Sequence, residues 1–265
     1  IYIAPDFDRR LQQADRSAMQ LLVDGSDTVV QSAAAQLALV GQQSRTSPYN
    51  DRPPAMELRT FYNPERRSPV NTVPGLIGVI LTMTMILFTA VAIVRERERG
   101  NLEMLITTPV KTPELMLAKI TPYVLIGLVQ VSLVLLLGHF LFEVPMRGTL
   151  LDTYIVTLFF IITNLALGLV ISTLVSTQFQ AMQLSFFVLL PSILLSGFMF
   201  PFAGMPRPAQ IIAEALPLTH FIRLIRGVIL RGASLQELAM ELMILGIFIL
   251  VFMTLAIMRF SKSLD

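Results

Sequence analysis

The sequence predicts an α-helical membrane protein with five spans and a small α/β domain outside the membrane. Composition is the first reason, since 54% of the residues are hydrophobic and only 14% are charged, which is unlike a soluble globular domain. The second reason is that residues 68–94 and 120–142 contain no Asp, Glu, Lys or Arg, and each run exceeds the roughly 20 apolar residues that a membrane helix needs. The third is that residues 1–67 contain no comparable run.

Residues 1–67 are expected to form the water-facing domain. Their apolar residues occur in short segments, and the polar stretch from Asp24 to Asp27 supplies a turn followed by an N-cap. Strands are predicted at Ile1–Ala4, Met19–Val23 and Ala55–Tyr62, and helices at Pro5–Gln13 and Thr28–Gln43.

Residues 68–265 are expected to form the transmembrane domain. Residues 153–206 contain no charged side chain and are too long for one helix, so the polar patch Ser176–Gln180 is predicted to be a turn between two spans. A charged elbow, residues 95–119, joins the first two spans. The predicted spans are about 71–94, 120–142, 153–175, 183–202 and 239–258.

Residues 203–238 are predicted to form a loop of short helices that re-enters the outer membrane interface. Apolar and arginine positions alternate along Ala209–Leu216 and Leu218–Leu230. Three arginines of this loop, Arg223, Arg226 and Arg231, are expected to point to headgroups or water.

The lysines indicate the orientation. Lys111, Lys119 and Lys262 all fall on the side of the elbow and the C-terminal end, which the positive-inside rule assigns to the cytoplasm. The N-terminal domain is then extracytoplasmic, with five spans present. Because something must carry that domain across, we expect a sixth span upstream of Ile1.

The elbow contains a short amphipathic helix. After the alternating charges that begin at Arg95, Leu102, Leu105 and Ile106 form an apolar stripe, and Pro109 ends the segment. Two readings of this pattern remain open: a helix that docks into a groove on a partner, or one that rests on lipid headgroups.

The elbow resembles a motif of the permease subunits of bacterial type-2 ABC exporters. Its letters E-R-E-R-G-N-L-E-M-L-I-T-T-P are similar to the family pattern E-R-E-x-G-T-x-E-x-L-x-x-x-P, with Asn101 in place of the usual Thr. Pro217–Ala233 and the opening I-A-P-D-F-D-R-R-L resemble the drug-export subgroup, which has an external α/β domain. The resemblance implies that the elbow is a coupling helix bound by an ATPase subunit. The matching positions are Glu96, Glu98, Gly100, Glu103, Leu105 and Pro109.

The same resemblance implies partners and a location. It places the chain in the bacterial inner membrane, beside a second permease subunit that is either a copy or a paralogue. A periplasmic adaptor is a further expected partner, together with membrane lipid. Nucleic acid is excluded as a partner, because the net charge is only +2 and the basic residues are scattered.

The sequence predicts no enzymatic site and no cofactor. A P-loop needs Gly before its Lys, and none of the lysines follows a glycine. His139 and His220 lie in different regions without evident partners, so each is expected to anchor a helix end at the interface. A metal site and a catalytic residue are likewise not expected.

The span interiors favour transport driven by an external energy source. They lack the ionisable groups that proton- or ion-driven carriers place at mid-membrane. Asn164 is the candidate pathway-lining residue, with a helix-packing hydrogen bond as the alternative. The expected function is a permease that exports a hydrophobic or amphipathic compound. The alternative is a membrane scaffold that recruits partners on both sides without transport.

Overall fold

The computed structural model describes residues 2–3, 5–6, 9, 19–24, 33–34, 36–37, 56–61, 68–100 and 112–259. The chain divides into two compact units, Ile1–Asn71 and Thr72–Asp265.

The first unit contains a three-stranded sheet in the order β1 (Tyr2–Ile3), β2 (Met19–Asp24) and β3 (Met56–Phe61). Strands β1 and β2 are antiparallel, whereas β2 and β3 are parallel, with Met19 opposite Met56. The three predicted strands are therefore confirmed. A parallel pair needs a crossover, and residues 33–34 and 36–37 of the predicted Thr28–Gln43 helix are helical. The rest of that helix and most of the predicted Pro5–Gln13 helix lie outside the described residues.

Five helices among the described residues are long and apolar enough to cross a membrane, as the sequence predicted. Two shorter helices, a 3-10 turn at Phe202–Gly204 and a π-helical turn at Gly227–Arg231 lie between the fourth and fifth of them. In chain order the helices are α1 Ser68–Glu98, α2 Thr112–Phe140, α3 Leu150–Leu174, α4 Gln178–Leu195, α5 Arg207–Glu214, α6 Pro217–Arg226 and α7 Ala239–Arg259.

The predicted position of the fourth span, 183–202, was wrong. Its helix begins at Gln178, because Thr177 forms a capping box with Gln180. The polar patch that was expected to be a turn is thus the cap and first turn of α4, and only residues 175–177 separate the two helices. The helix ends before Gly197, whose φ of +84° is a left-handed conformation that favours glycine.

Both flanks of the predicted elbow, residues 95–119, are helical, since α1 continues to Glu98 and α2 begins at Thr112. The charged ends of these helices extend past their apolar runs because each makes contacts with other helices, described below.

Helix α3 is central to the second unit. It packs against α2, α6 and α7, and thirteen of its residues are buried. It lies close to α1 at Gly168, where an added Cβ would lie 2.9 Å from the Ile86 carbonyl oxygen and 2.9 Å from Thr89 Cβ. A small residue lets the two backbones approach, as in other membrane helix interfaces.

We expect Gly168→Ala to destabilise the protein by about 1–3 kcal/mol, because the new methyl group overlaps backbone atoms that cannot move aside. The measurement is the thermal unfolding midpoint in lipid nanodiscs. Gly246→Ala in α7 is the matched control, since a Cβ there meets nothing within 4 Å. Equal midpoints for the two variants would contradict the proposed contact.

Helix α6 packs inside the bundle. All of its residues except Arg223 and Arg226 are buried. The Phe221 ring stacks on Phe160 of α3, with centroids 4.0 Å apart, and an added Cβ on Gly78 of α1 would collide with Phe221. The predicted re-entry of residues 203–238 into the outer membrane interface stays a prediction.

Candidate functional site

The C-terminal end of α1 is the first candidate site, because it contacts three other helix ends. Glu96 forms an ion pair with Lys119 of α2, and both side chains are partly buried. Since Glu96 precedes the elbow and Lys119 follows it, this pair fixes the two flanks of the elbow to each other.

Arg97 binds the end of α3. Its Nη1 donates to the carbonyl oxygens of Ser172 and Val175, each at 3.2 Å. Carbonyls at a helix C-terminus have no partner within the helix and carry partial negative charge, so a cation stabilises them. Arg97 therefore caps α3.

Glu98 binds the start of α4. Its carboxylate accepts a hydrogen bond from the backbone N–H of Gln178 at 2.9 Å and another from the Gln178 side-chain amide. The N–H groups of a helix N-terminus favour an anion. The positive Arg97 and the negative Glu98 are thus each opposite in sign to the partial charge of the helix end that they contact.

Gly100 ends the described part of the elbow. Its φ is +71° and its N–H donates to the Arg97 carbonyl oxygen at 3.1 Å, which is a left-handed cap that favours glycine. The remaining predicted coupling residues lie outside the described residues: Leu102, Glu103, Leu105, Ile106 and Pro109. Contact of any of these, or of Glu96, Glu98 and Gly100, with an ATPase stays a prediction.

Sequence reasoning did not assign roles to Arg97, Lys119 or Gln178 at this site. The alternating charges of residues 95–99 were visible, but their partners are 23 to 80 positions away in the chain. Only the fold brings them together. The polar stretch at 176–180 could have indicated a binding partner for Glu98, since the N–H groups of a helix start near the elbow can bind its carboxylate.

A second candidate site lies where α6 meets α5 and α7. His220 is buried, its Nδ1 lies 2.5 Å from Glu241 Oε2, and its Nε2 lies 2.9 Å from the Glu214 carbonyl oxygen. Burial opposes protonation, but the hydrogen bonds to Glu241 and Glu214 and their negative charge outweigh it and raise the pKa of His220. The expectation that His220 lacks partners was wrong, because it contacts the Glu214 carbonyl oxygen six residues earlier and Glu241 of α7.

Arg223 completes this cluster. It donates to Glu214 at 2.6 Å and to Glu241 at 3.2 Å, and its guanidinium lies 4.5 Å from the centre of the Phe202 ring. Arg226 donates to the Gly197 carbonyl oxygen at 3.2 Å. The expectation that these two arginines point to headgroups or water was therefore wrong, whereas Arg231 is exposed.

The predicted polar residues of the spans mostly bond to helix backbones. Asn164 is 1% exposed and its Nδ2 donates to the Phe160 carbonyl oxygen at 2.9 Å, which is the packing alternative. A role for Asn164 in lining a path stays a prediction. Two hydroxyls link spans: Thr84 donates to Gln130 of α2, and Ser132 bonds Tyr154 of α3.

Comparisons with known proteins identify the family of this chain. The family model described as "ABC-2 family transporter protein" matches residues 1–258. "Probable multidrug ABC transporter permease YbhS" of Escherichia coli K12 is 29% identical over 274 residues, which cover 100% of this chain and 73% of that protein. "Probable multidrug ABC transporter permease YbhR" of the same strain is 31% identical, over 87% of this chain and 64% of that protein.

A eukaryotic protein is also similar. "ABC transporter G family member 20" of Dictyostelium discoideum is 28% identical over 66% of this chain, which corresponds to 24% of that protein. The family match extends over nearly the full chain, and five helices suited to crossing a membrane accompany it. The chain therefore belongs to the ABC-2 family of transporter proteins, as a multi-pass membrane permease.

Proposed function

We propose that this permease exports a hydrophobic or amphipathic compound, drug-like or lipid-like, with energy from ATP hydrolysed by a separate subunit. Family membership supports the ATPase partner, since the chain itself offers no P-loop sequence. The names of the two Escherichia coli relatives, which include "multidrug", support the substrate class. The apolar groove of about 580 Å³ between α3 and α7 is consistent with such a substrate.

The bonded end of α1 carries this proposal. A force applied to the elbow reaches α1 and α2 directly through Glu96 and Lys119. It reaches α3 and α4 through Arg97 and Glu98. Four of the five candidate spans would then move as one body, which is the kind of rigid rearrangement that alternating access requires.

The proposed assembly is the one that the family resemblance implies. Two permease subunits, alike or paralogous, line one path, with the elbow and C-terminal end in the cytoplasm and the N-terminal unit in the periplasm. The distribution of Lys111, Lys119 and Lys262 supports this orientation. A periplasmic adaptor on the N-terminal unit and lipid around the spans complete the proposed assembly in the inner membrane.

Dye efflux tests the function. We expect cells that lack the gene to retain more ethidium than cells that carry it on a plasmid, because the permease would remove this lipophilic cation. The difference should vanish when the partner ATPase is inactivated. Efflux that persists unchanged without a working ATPase would contradict ATP-driven export. Equal retention of ethidium and of a panel of amphipathic drugs, with partners still recruited, would favour the scaffold alternative.

A further inference from the structure

We propose that His220 is a positioning residue, which as an imidazolium holds the buried helix α6 against the last span α7 and holds it less tightly on deprotonation. This proposal rests on the proposed export function only for its effect on transport. Its structural part concerns the junction of α5, α6 and α7, which we call the histidine junction, formed by Glu214, His220, Arg223 and Glu241.

The number of N–H donors that the His220 ring needs indicates its protonation state. Both ring nitrogens of His220 face acceptors, Glu241 Oε2 at 2.5 Å and the Glu214 carbonyl oxygen at 2.9 Å. A neutral imidazole has one N–H and can donate to only one of them, whereas the imidazolium has two. Because Arg223 lies 3.2 Å from Glu241 and favours its ionised form, both contacts are satisfied together by the charged form of His220.

The charges around His220 come from three elements. Glu214 belongs to α5, Glu241 to α7, and Arg223 to α6 itself, where it binds both glutamates. Helix α4 has no titratable side chain, and the titratable residues of α3, Asp152 and Tyr154, lie in its first two turns, where Tyr154 bonds Ser132. With His220 protonated, the histidine junction contains two cations and two anions.

His220 is buried, whereas the side chains of Glu214, Arg223 and Glu241 are partly exposed. The His220 ring lies 5.8 Å from the Phe248 ring of α7, and Phe202 covers Arg223. In either tautomer, loss of the proton removes the charge attraction between His220 of α6 and Glu241 of α7, although Arg223 still binds Glu241. The contacts of α6 with α1 and α3 are apolar and do not depend on pH.

The direction of the pH effect follows from the raised pKa of His220, whose ordinary value is 6.5. The stabilisation is fully present below the unfolded-state pKa and is lost as the pH rises through the higher folded-state pKa. The junction should thus loosen above about pH 6.5, where a histidine with an ordinary pKa would already be neutral.

Nuclear magnetic resonance of isotope-labelled histidine tests the protonation state without any transport. The chain contains two histidines, and His220→Gln assigns the signal of His220 by its disappearance. We expect the titration of His220, measured in the permease in nanodiscs, to have its midpoint above about pH 6.5, with protons on both ring nitrogens below that midpoint. In Glu241→Gln the titration should shift lower by at least about one pH unit. A midpoint at or below about pH 6.5 in the unchanged protein would overturn the proposal.

The pH profile of transport tests the positioning role. In liposomes that contain the permease and its ATPase, ethidium transport should fall as the pH rises through the His220 titration measured by resonance. His220→Gln should give reduced transport without this step, and Glu241→Gln should move the step to lower pH. Glu237→Gln, an exposed glutamate that accepts a hydrogen bond from Ser234, is the control and should keep the original profile.

The outcomes separate the two proposals. A step that persists in His220→Gln would overturn the positioning role. If ATP drives no ethidium transport at any pH, the export function fails for this probe, while resonance still decides whether His220 is charged.

Discussion

Replacement of Glu103 by Arg is expected to remove the ATPase from the purified permease and to abolish transport. Glu103 belongs to the elbow motif to which the resemblance to ABC exporters assigns coupling, and its reversal would place a positive charge in the proposed contact with the ATPase. Breaking a close charged contact in an interface costs about 2–5 kcal/mol, and each 1.4 kcal/mol is about a tenfold loss of affinity. Recovery of the ATPase in pull-down should therefore fall at least about tenfold.

Glu237→Arg is the control for this experiment. It makes the same charge reversal at an exposed glutamate outside the elbow, so it should leave the amount of bound ATPase unchanged. Unchanged assembly and transport in Glu103→Arg would show that the elbow is not the docking segment, and would favour the interpretation of a helix resting on lipid.

The second large effect is expected for Arg97→Gln: transport should fall at least about tenfold while the ATPase remains bound. Arg97 holds the Ser172 and Val175 carbonyls at the end of α3. Hydrogen bonds made by a charged group contribute about 1.5–3 kcal/mol, so their loss loosens the link between α1 and the end of α3, while Glu98 still binds α4. ATP hydrolysis would then continue without moving the spans together.

The ratio of ethidium transported to ATP hydrolysed measures this uncoupling. Arg259→Gln is the control, since Arg259 is an exposed arginine in the last turn of α7 and should leave the ratio unchanged. Should Arg97→Gln lower transport and ATPase binding in parallel, Arg97 would be part of the docking surface and the uncoupling interpretation would be wrong.

The number and approximate positions of the spans could be predicted because each is a long uncharged run, and lipid excludes any other structure for such a run. The residues at which the helices begin and end could not be predicted. The start of α4 depends on Thr177 and Gln180 satisfying each other's backbone, a local choice that hydropathy does not describe. The charged ends of α1 and α2 stay helical because they bond other helices, which is non-local information.

The candidate site was likewise predictable only in the part that is contiguous in the sequence. The motif from Glu96 to Pro109 marked the elbow, because amphipathic spacing and charge are properties of a contiguous segment. The partners Lys119 and Gln178 were not predictable, since nothing in a single sequence says which helix ends lie together. His220 was misjudged for this reason: its apolar neighbours in α6 indicated a lone histidine, while Glu241 comes from another helix.

The sequence by itself determined that this chain crosses a membrane five times, carries a small sheet-containing unit at its N-terminal end, and belongs with ABC exporters. These properties follow from composition and from local patterns, because each segment partitions between water and lipid according to its own residues. The tertiary structure alone decided which charges meet: Arg97 with the end of α3, Glu98 with the start of α4, and His220 with Glu241. The physical reason is that a buried or partly buried charge is stable only beside a partner, and the packing of distant helices chooses that partner.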